Sequence, residues 1–184
     1  MSLFPDPRRI VTGHSQDGKS IVVDDNTISC LPTSIKCNFA VLYETHEFPA
    51  TLHEWEDPIR QRTTNLANQN GVVLRVVDFP PNTETAFHRT ESLDFGILHQ
   101  GEITCHLDDG VRVEMKAGDT CVQRGTIHGW TNYSNKPARM YFVLTAAEPV
   151  VVRGTTLGEK GFDRKHVASG GTREGSSSQL EATT

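Results

Sequence analysis

Short segments in which apolar and polar residues alternate follow one another from residue 71 to residue 144, with turn residues between them. A period of two residues is typical of half-buried β-strands. Many short strands at this spacing, with no helical segments between them, predict an all-β sandwich or barrel. The predicted strands are Gly71–Phe79, Ser92–Leu98, Glu102–Leu107, Val111–Met115, Thr120–Gln123, His128–Asn132 and Arg139–Leu144.

The N-terminal part of the chain has the pattern of a β-hairpin. Two runs rich in β-branched residues flank Asp17-Gly18, a dipeptide that readily adopts the positive φ angles of a tight turn. The pattern predicts a hairpin over residues 9–23, which would form an N-terminal arm. A further apolar run at residues 39–43 predicts one more short strand.

Between residues 44 and 70 the periodic pattern is lost. Pro49, Pro58 and several polar residues interrupt it, which predicts a long irregular connection with one helical turn. Long loops in compact domains often cover binding sites. His53 and Trp55 are therefore candidates to cover a pocket, and an ordinary packed side chain is the alternative interpretation for Trp55.

The chain changes character after Pro149. Residues 150–152 are apolar and are predicted to pair as one more edge strand. From residue 154 onwards Gly, Ser, Thr and charged residues dominate, and such a segment cannot bury enough apolar surface to fold alone. We therefore divide the chain into an N-terminal arm with an irregular cover segment (1–69), a barrel (70–153) and a polar tail (154–184).

Composition narrows the class of protein. The 184 residues carry a formal net charge of −5, and 36% of them are hydrophobic. No cluster of Lys and Arg provides the basic surface of a nucleic-acid-binding protein, and no apolar run approaches the roughly 18 residues of a membrane-spanning helix. The first residues lack the continuous apolar stretch of a secretion signal. We expect a cytoplasmic protein with neither a nucleic-acid nor a membrane partner.

Two sequence motifs carry the candidate chemistry. The first reads H-R-T-E-S-L-D from His88 to Asp94, and the second reads G-D-T-C-V-Q-R-G-T-I-H-G-W-T-N from Gly118 to Asn132. In their order and spacing they resemble the two motifs of the cupin superfamily, whose members are small β-barrels. The resemblance covers roughly residues 70–147.

The resemblance implies a cupin double-stranded β-helix, or jelly-roll, barrel with an N-terminal β arm and a polar C-terminal tail. The motifs are similar in particular to those of single-domain cupins of bacteria and fungi, written H-R-T-x-S-x-D and G-D-x-x-V-Q-R-G-x-x-H-x-W-x-N. Fungal members of this group often belong to secondary-metabolite pathways. Small cupins commonly pair through N-terminal strands, so the resemblance also implies a homodimer with the hairpin as its arm.

The first motif departs from the usual metal ligands of cupins. Thr90 stands in place of a second histidine, and Asp94 in place of a glutamate. Strand alternation still directs both toward the same side as His88. A metal set of His88, Asp94 and His128 would suit Fe, and Zn, Mn or Ni are alternatives. Because Asp is shorter than Glu by about 1.5 Å, such a site needs a backbone adjustment or a bridging water.

A metal-free interpretation uses the same residues for proton transfer. A histidine beside a carboxylate is a general acid/base pair, so His88, Asp94 and His128 are the predicted catalytic residues. If Arg75 points inward, its guanidinium would bind a substrate carboxylate or phenolate; an outward-facing surface arginine is the alternative. The other predicted substrate-binding residues are Thr90, Gln123 and Trp130.

These expectations favour an enzyme that acts on a small aromatic or polyketide-like substrate without an organic cofactor. The preferred hypothesis is a lyase or isomerase that catalyses decarboxylation, dehydration or cyclisation by His and Asp acid-base chemistry. Two alternatives stay open. One is an Fe(II)-dependent oxygenase or other oxidoreductase, and the other is a cupin that binds a small molecule without catalysis.

Overall fold

The computed structural model describes residues 2–63 and 65–161, and these residues confirm the predicted all-β class. Their two helices, Pro58–Gln61 and Asp108–Gly110, are short 3₁₀ turns. No described helix is long and apolar enough to cross a membrane. The strands are β1 (Arg8–His14), β2 (Ser20–Thr27), β3 (Leu31–Pro32), β4 (Asn38–Glu44), β5 (Val72–Phe79), β6 (Thr83–Glu84), β7 (Ser92–Gln100), β8 (Glu102–His106), β9 (Arg112–Lys116), β10 (Thr120–Arg124), β11 (Gly129–Asn132), β12 (Ala138–Ala146), β13 (Val150–Val152) and β14 (Thr155–Leu157).

Two antiparallel sheets build the barrel. One has six strands in the order β10-β7-β12-β5-β4-β3, and the other has four in the order β6-β11-β8-β9. Neighbouring strands are often distant in sequence, as in jelly-roll folds. All seven strands predicted between residues 71 and 144 are present.

The hydrophobic core lies between the two sheets because strand alternation directs apolar side chains there. On β12, Met140, Phe142 and Leu144 are buried, while the residues between them are half-buried. Cys105 of the four-stranded sheet belongs to the same core. Cys105 is buried, whereas Cys121 is only half-buried, because β10 lies at the edge of its sheet.

The predicted N-terminal hairpin is confirmed and extends beyond its expected ends. Strands β1 and β2 form a two-stranded sheet of their own, and Gly18 in the turn has a φ of 78°. Arg9 fastens the hairpin to the rest of the molecule. Its guanidinium donates to the Leu42 carbonyl oxygen at 3.1 Å and to both carboxylate oxygens of Asp57 at 2.9 and 2.6 Å. The homodimer stays a prediction.

The connection between β4 and β5 is irregular, as predicted, and Pro58–Gln61 forms its helical turn. The prediction that His53 and Trp55 cover the pocket is wrong for the barrel cavity. They line a separate groove beside the hairpin, where Trp55 stacks on Tyr43 with ring centroids 6.5 Å apart. Leu66, later in the same connection, reaches the barrel cavity instead.

The segment after the barrel forms a second hairpin. The predicted strand at 150–152 is present as β13, but it pairs with β14 and not with an edge of the barrel, so the predicted pairing is wrong. The chain reverses at Arg153 and Gly154, which both have positive φ angles, 49° and 78°. The predicted start of the tail at residue 154 therefore falls inside a turn. The rest of the predicted tail, residues 162–184, lies outside the described residues.

Candidate functional site

A cavity of about 770 Å³, counting its open mouth, lies between the two sheets. Its wall is mostly apolar and aromatic with a few polar groups, as is typical of small-molecule sites. The site residues predicted from the sequence all line this cavity. They are Arg75, His88, Thr90, Asp94, Gln123, His128 and Trp130.

His88 and His128 are brought together by their backbones. His88 N donates to the His128 carbonyl oxygen at 2.8 Å, and His128 N donates to the His88 carbonyl oxygen at 2.9 Å. This isolated antiparallel bridge places the two imidazole rings 4.3 Å apart between centroids, at an interplanar angle of 59°. His88 and His128 are 40 positions apart in the sequence, and this bridge places them side by side at the cavity.

Backbone carbonyl groups orient both rings. His88 Nδ1 lies 3.1 Å from the Ala86 carbonyl oxygen, and His128 Nδ1 lies 3.0 Å from that of Thr126. A carbonyl oxygen can only accept, so Nδ1 is the donor in each ring. In a neutral imidazole the other nitrogen then carries the lone pair, which makes Nε2 the basic atom.

Burial favours the neutral form of both rings. Burial lowers the pKa of His88, and the hydrogen bond to the Ala86 carbonyl oxygen opposes this shift with a smaller effect. Burial, together with the neighbouring His88 ring, lowers the pKa of His128 to about 4. The His128 ring is therefore neutral at neutral pH.

Asp94 lies on β7 in a short chain of hydrogen bonds. Ser92 Oγ donates to Thr90 Oγ1 at 2.8 Å, and Thr90 Oγ1 donates to Asp94 Oδ2 at 3.1 Å. The other oxygen, Oδ1, is buried and has no hydrogen-bond partner among the described residues. Burial raises the pKa of Asp94 to about 6, although the hydroxyls of Ser92 and Thr90 oppose the shift. A carboxyl group in this position exchanges its proton near neutral pH.

Arg75 points into the cavity, which decides between its two predicted orientations. It is 1% exposed, and its Nη2 donates to the carbonyl oxygens of Asn65 and Leu66 at 2.9 and 3.2 Å. Nε and Nη1 are buried without a hydrogen-bond partner in the described part of the chain. Burial lowers the pKa of Arg75 to about 10, while the charge of Glu44 opposes the shift. The guanidinium stays charged and retains donors for an anion.

Gln123 and Trp130 also line the cavity. Gln123 lies on β10 directly opposite Asp94 on β7, and both atoms of its buried amide lack a partner within the described residues. Trp130 presents its ring edge-on to His128, with centroids 5.9 Å apart, and to Phe142, at 5.8 Å. Gln123 therefore offers hydrogen bonds, and Trp130 offers an apolar surface.

The sequence analysis did not single out several other residues of the wall. Phe39, whose ring lies 5.5 Å from the Arg75 guanidinium carbon, belongs to the apolar run predicted as a strand at residues 39–43, which signalled a buried strand but not which side chains face the cavity. Leu66 and Gly161 also line the cavity, but they lie in segments without a periodic pattern. No local signal could have found them.

A cupin-type metal would need a complete set of donor side chains. Across residues 2–63 and 65–161, no three His, Cys, Asp or Glu side chains are grouped closely enough to hold one ion. His88 and His128 are adjacent, but Asp94 directs one oxygen to Thr90. The described residues thus bring two of the three predicted ligands side by side without a closed three-ligand group, and we derive no chemical step through a metal. The metal site stays a prediction.

Known proteins resemble this chain over most of its length. A family model for the cupin domain matches residues 75–144. The oryzines biosynthesis cluster protein J of Aspergillus oryzae is 36% identical over 172 residues, which cover 89% of this chain and 96% of that protein. The chain belongs to the cupin superfamily. Its two-sheet barrel is the double-stranded β-helix that the motifs predicted.

Other similar proteins include a named enzyme and a solved structure. The cupin-domain-containing oxidoreductase virC of Hypocrea virens is 32% identical to this cupin over 164 residues, covering 83% of this chain and 84% of that protein. A conserved protein with a double-stranded β-helix domain from Klebsiella pneumoniae is 21% identical, with a TM-score of 0.46 over 64% of this chain and 84% of that one. This cupin is thus related to biosynthesis-cluster proteins and to a cupin-domain oxidoreductase.

Proposed function

We propose that this cupin is an enzyme of secondary metabolism that moves protons on a small aromatic or polyketide-like molecule. The reaction is of the lyase or isomerase type: decarboxylation, dehydration or cyclisation. The observation that carries the proposal is a neutral imidazole in the same cavity as a carboxyl group, Asp94, whose burial raises its pKa to about 6. Near neutral pH such a site holds a neutral imidazole and a carboxyl group of which both the protonated and the ionised forms are populated.

The histidines act as bases in this proposal. Because Nδ1 of His128 donates to the Thr126 carbonyl oxygen, Nε2 accepts the proton that the substrate loses. Asp94 in its protonated form returns a proton to the substrate. Thr90 holds the carboxyl group through Oδ2, which leaves the buried Oδ1 for that transfer.

The substrate in this proposal is a mostly apolar ring system with an anionic group. Arg75 has two buried donors without partners among the described residues, and a carboxylate or phenolate would satisfy them with charge-assisted hydrogen bonds. The amide of Gln123 binds a polar group of the same molecule. The aromatic rings of Phe39 and Trp130, which line the cavity, pack against its carbon skeleton.

Deuterium incorporation tests the proposal even when the product is unidentified. Aromatic and polyketide-like acids are incubated with the protein in D₂O under anaerobic conditions, and mass spectrometry and NMR follow deuterium uptake and loss of CO₂. We expect uptake with the wild type and its loss in His128→Ala. His99→Ala, at an exposed position on the same strand as Asp94, is the matched control and keeps full activity. Turnover retained in His128→Ala would contradict the proposal.

A second candidate function is that of a metal-dependent oxidoreductase. Both rings donate Nδ1 to a backbone carbonyl oxygen, the arrangement that orients histidine ligands in metal sites, and virC carries the name oxidoreductase. The test is elemental analysis of protein purified without a chelating column, as wild type and as His88→Ala. Near-stoichiometric Fe, Zn, Mn or Ni that is lost in the variant, with oxygen uptake that depends on added Fe(II), supports this candidate. The same metal content in both proteins contradicts it.

A further inference from the structure

Residues 150–161, here called the C-terminal strap, reach the cavity although they belong to neither barrel sheet. After the hairpin β13–β14, Lys160 lies antiparallel to Arg89. Arg89 N donates to the Lys160 carbonyl oxygen at 2.8 Å, and Lys160 N donates to the Arg89 carbonyl oxygen at 3.1 Å. The next residue, Gly161, lines the cavity.

The strap completes a ladder of three chain segments around His88. On one edge, His88 exchanges two backbone hydrogen bonds with His128; on the other, Arg89 exchanges two with Lys160. In an extended chain, successive residues direct their backbone groups to opposite sides. The segment that carries His88 is therefore held from both edges, by the second motif and by the strap.

Gly161 makes the closest backbone approach in this ladder. A Cβ atom at this position would lie 2.1 Å from the Phe87 carbonyl oxygen and 3.2 Å from the His88 Cα atom. Its φ of 76° lies in the left-handed region that favours glycine. Any larger residue would push the strap away from residues 87 and 88.

We infer that Gly161 is a positioning residue for His88 and that the strap is a structural wall of the site. The close packing of Gly161 lets Lys160 pair with Arg89, and this pairing sets the position of the His88 ring relative to His128. Displacement of the strap widens the cavity beside His88. The inference goes beyond the proposed function, because His88 needs the same positioning as a base and as a metal ligand.

Gly161→Ala and Gly158→Ala form a matched pair that tests the inference. At Gly158 a Cβ atom would meet nothing closer than Glu91 Oε1 at 3.5 Å. NMR measures the amide hydrogen exchange of Arg89 and Lys160 and the ring ¹H–¹³C signals of each histidine at one fixed pH. Line broadening of the His128 ring by the neutral nitroxide TEMPOL measures access to the cavity.

In Gly161→Ala we expect amide exchange at Arg89 and Lys160 to rise by about ten-fold, the effect of losing roughly one hydrogen bond. The His88 ring signals shift, and TEMPOL broadens the His128 ring more strongly. Gly158→Ala matches the wild type in all three measurements. Unchanged amide exchange or an unchanged His88 signal in Gly161→Ala overturns the inference.

Lys160→Pro keeps the inference testable if Gly161→Ala does not fold. Proline removes the N–H that bonds the Arg89 carbonyl oxygen and adds no atom at residue 161. We expect the same shift of the His88 ring, with the signal of the exposed His99 ring unchanged. No shift at His88, or a shift spread over all histidines, contradicts a positioning role for the strap.

Discussion

Arg75 on β5 and Arg139 on β12 are buried in the same sheet but differ in their partners. Arg139 donates through Nε and Nη2 to the two oxygens of Asp78 at 2.6 and 2.8 Å, and its Nη1 donates to the Pro5 carbonyl oxygen at 2.9 Å. Arg75 donates through Nη2 to two backbone carbonyl oxygens. Its Nε and Nη1 have no partner within the described ranges.

This contrast separates a framework arginine from the arginine that we propose binds substrate. The hydrogen bonds of Asp78 raise the pKa of Arg139, whereas burial lowers the pKa of Arg75 to about 10. A buried charge with incomplete partners lowers stability, and proteins keep such groups chiefly where function needs them. The unsatisfied donors of Arg75 therefore support its proposed role in binding, and the satisfied donors of Arg139 are those of a structural ion pair.

The largest effect is expected where a satisfied pair is broken. Asp78→Ala leaves the Arg139 guanidinium buried without its carboxylate, which costs about 3–5 kcal/mol of unfolding free energy, measured by denaturant titration. The double variant Asp78→Leu with Arg139→Met removes both charges and recovers most of that loss. A loss of unfolding free energy below about 1 kcal/mol in Asp78→Ala would show that the Arg139–Asp78 pair does not stabilise the fold more than the surroundings of Arg75 do.

The next effect is pH-dependent and arises at Asp94, another incompletely paired group. Its pKa is raised from 3.8 to about 6 in the folded protein. Between these two pH values the Asp94 carboxyl group is protonated in the folded chain and ionised in the unfolded chain. Its contribution to the unfolding free energy therefore falls as pH rises through this range. Two pKa units correspond to about 3 kcal/mol.

Asp94→Asn carries no such proton. Relative to wild type, its unfolding free energy is therefore expected to gain about 3 kcal/mol between about pH 4 and pH 7. His88 and His128, whose pKa values are lowered, have the opposite sign, but they are present in both proteins and cancel in the difference. Denaturant titrations at several pH values measure this difference. A difference independent of pH would show that Asp94 titrates normally.

A smaller change in stability is expected when the unsatisfied arginine is replaced. Arg75→Met is expected to lower the unfolding free energy by about 1 kcal/mol, less than Asp78→Ala, because its lost hydrogen bonds end on backbone carbonyl oxygens and Glu44 loses only a charge attraction. Binding of benzoate, measured by calorimetry, weakens by about ten-fold or more. Neutral benzamide is the matched probe, and its binding stays unchanged. A loss of stability as large as that of Asp78→Ala would place Arg75 in the framework.

The smallest effect is expected at an ion pair that has the same two-point hydrogen-bond geometry but lies exposed at the surface. Arg8 donates through Nε and Nη2 to Asp25 at 2.7 and 2.5 Å, with side chains 65% and 40% exposed. Water and salt screen such pairs. Arg8→Ala should leave the denaturation midpoint unchanged. A clear shift of the midpoint would mean that geometry, and not burial, sets the strength of these pairs.

The motifs led to the residues of one cavity because Asp94, Gln123 and Trp130 lie on strands, and His88 and His128 lie just outside strands and pair in an isolated bridge. His88, Asp94 and His128 are directed inward by alternation, and the structure places all three at one cavity. The sequence analysis left two orientations open for Arg75. Periodicity shows which side chains share one face of a strand, but it does not show which face points into the barrel. Residues without a period, such as Trp55 and Gly161, could not be placed, because their positions depend on contacts with distant segments.

The sequence by itself determined the strands, the hairpin turn at Asp17-Gly18 and the cupin motifs, since each depends on local conformational preference and on side-chain alternation. The tertiary structure alone decided which donors stay unpaired, how far burial shifts the pKa values of Asp94 and His128, and that Gly161 lies against Phe87. Desolvation and hydrogen-bond satisfaction depend on every neighbour in space. No local pattern in the chain encodes those neighbours.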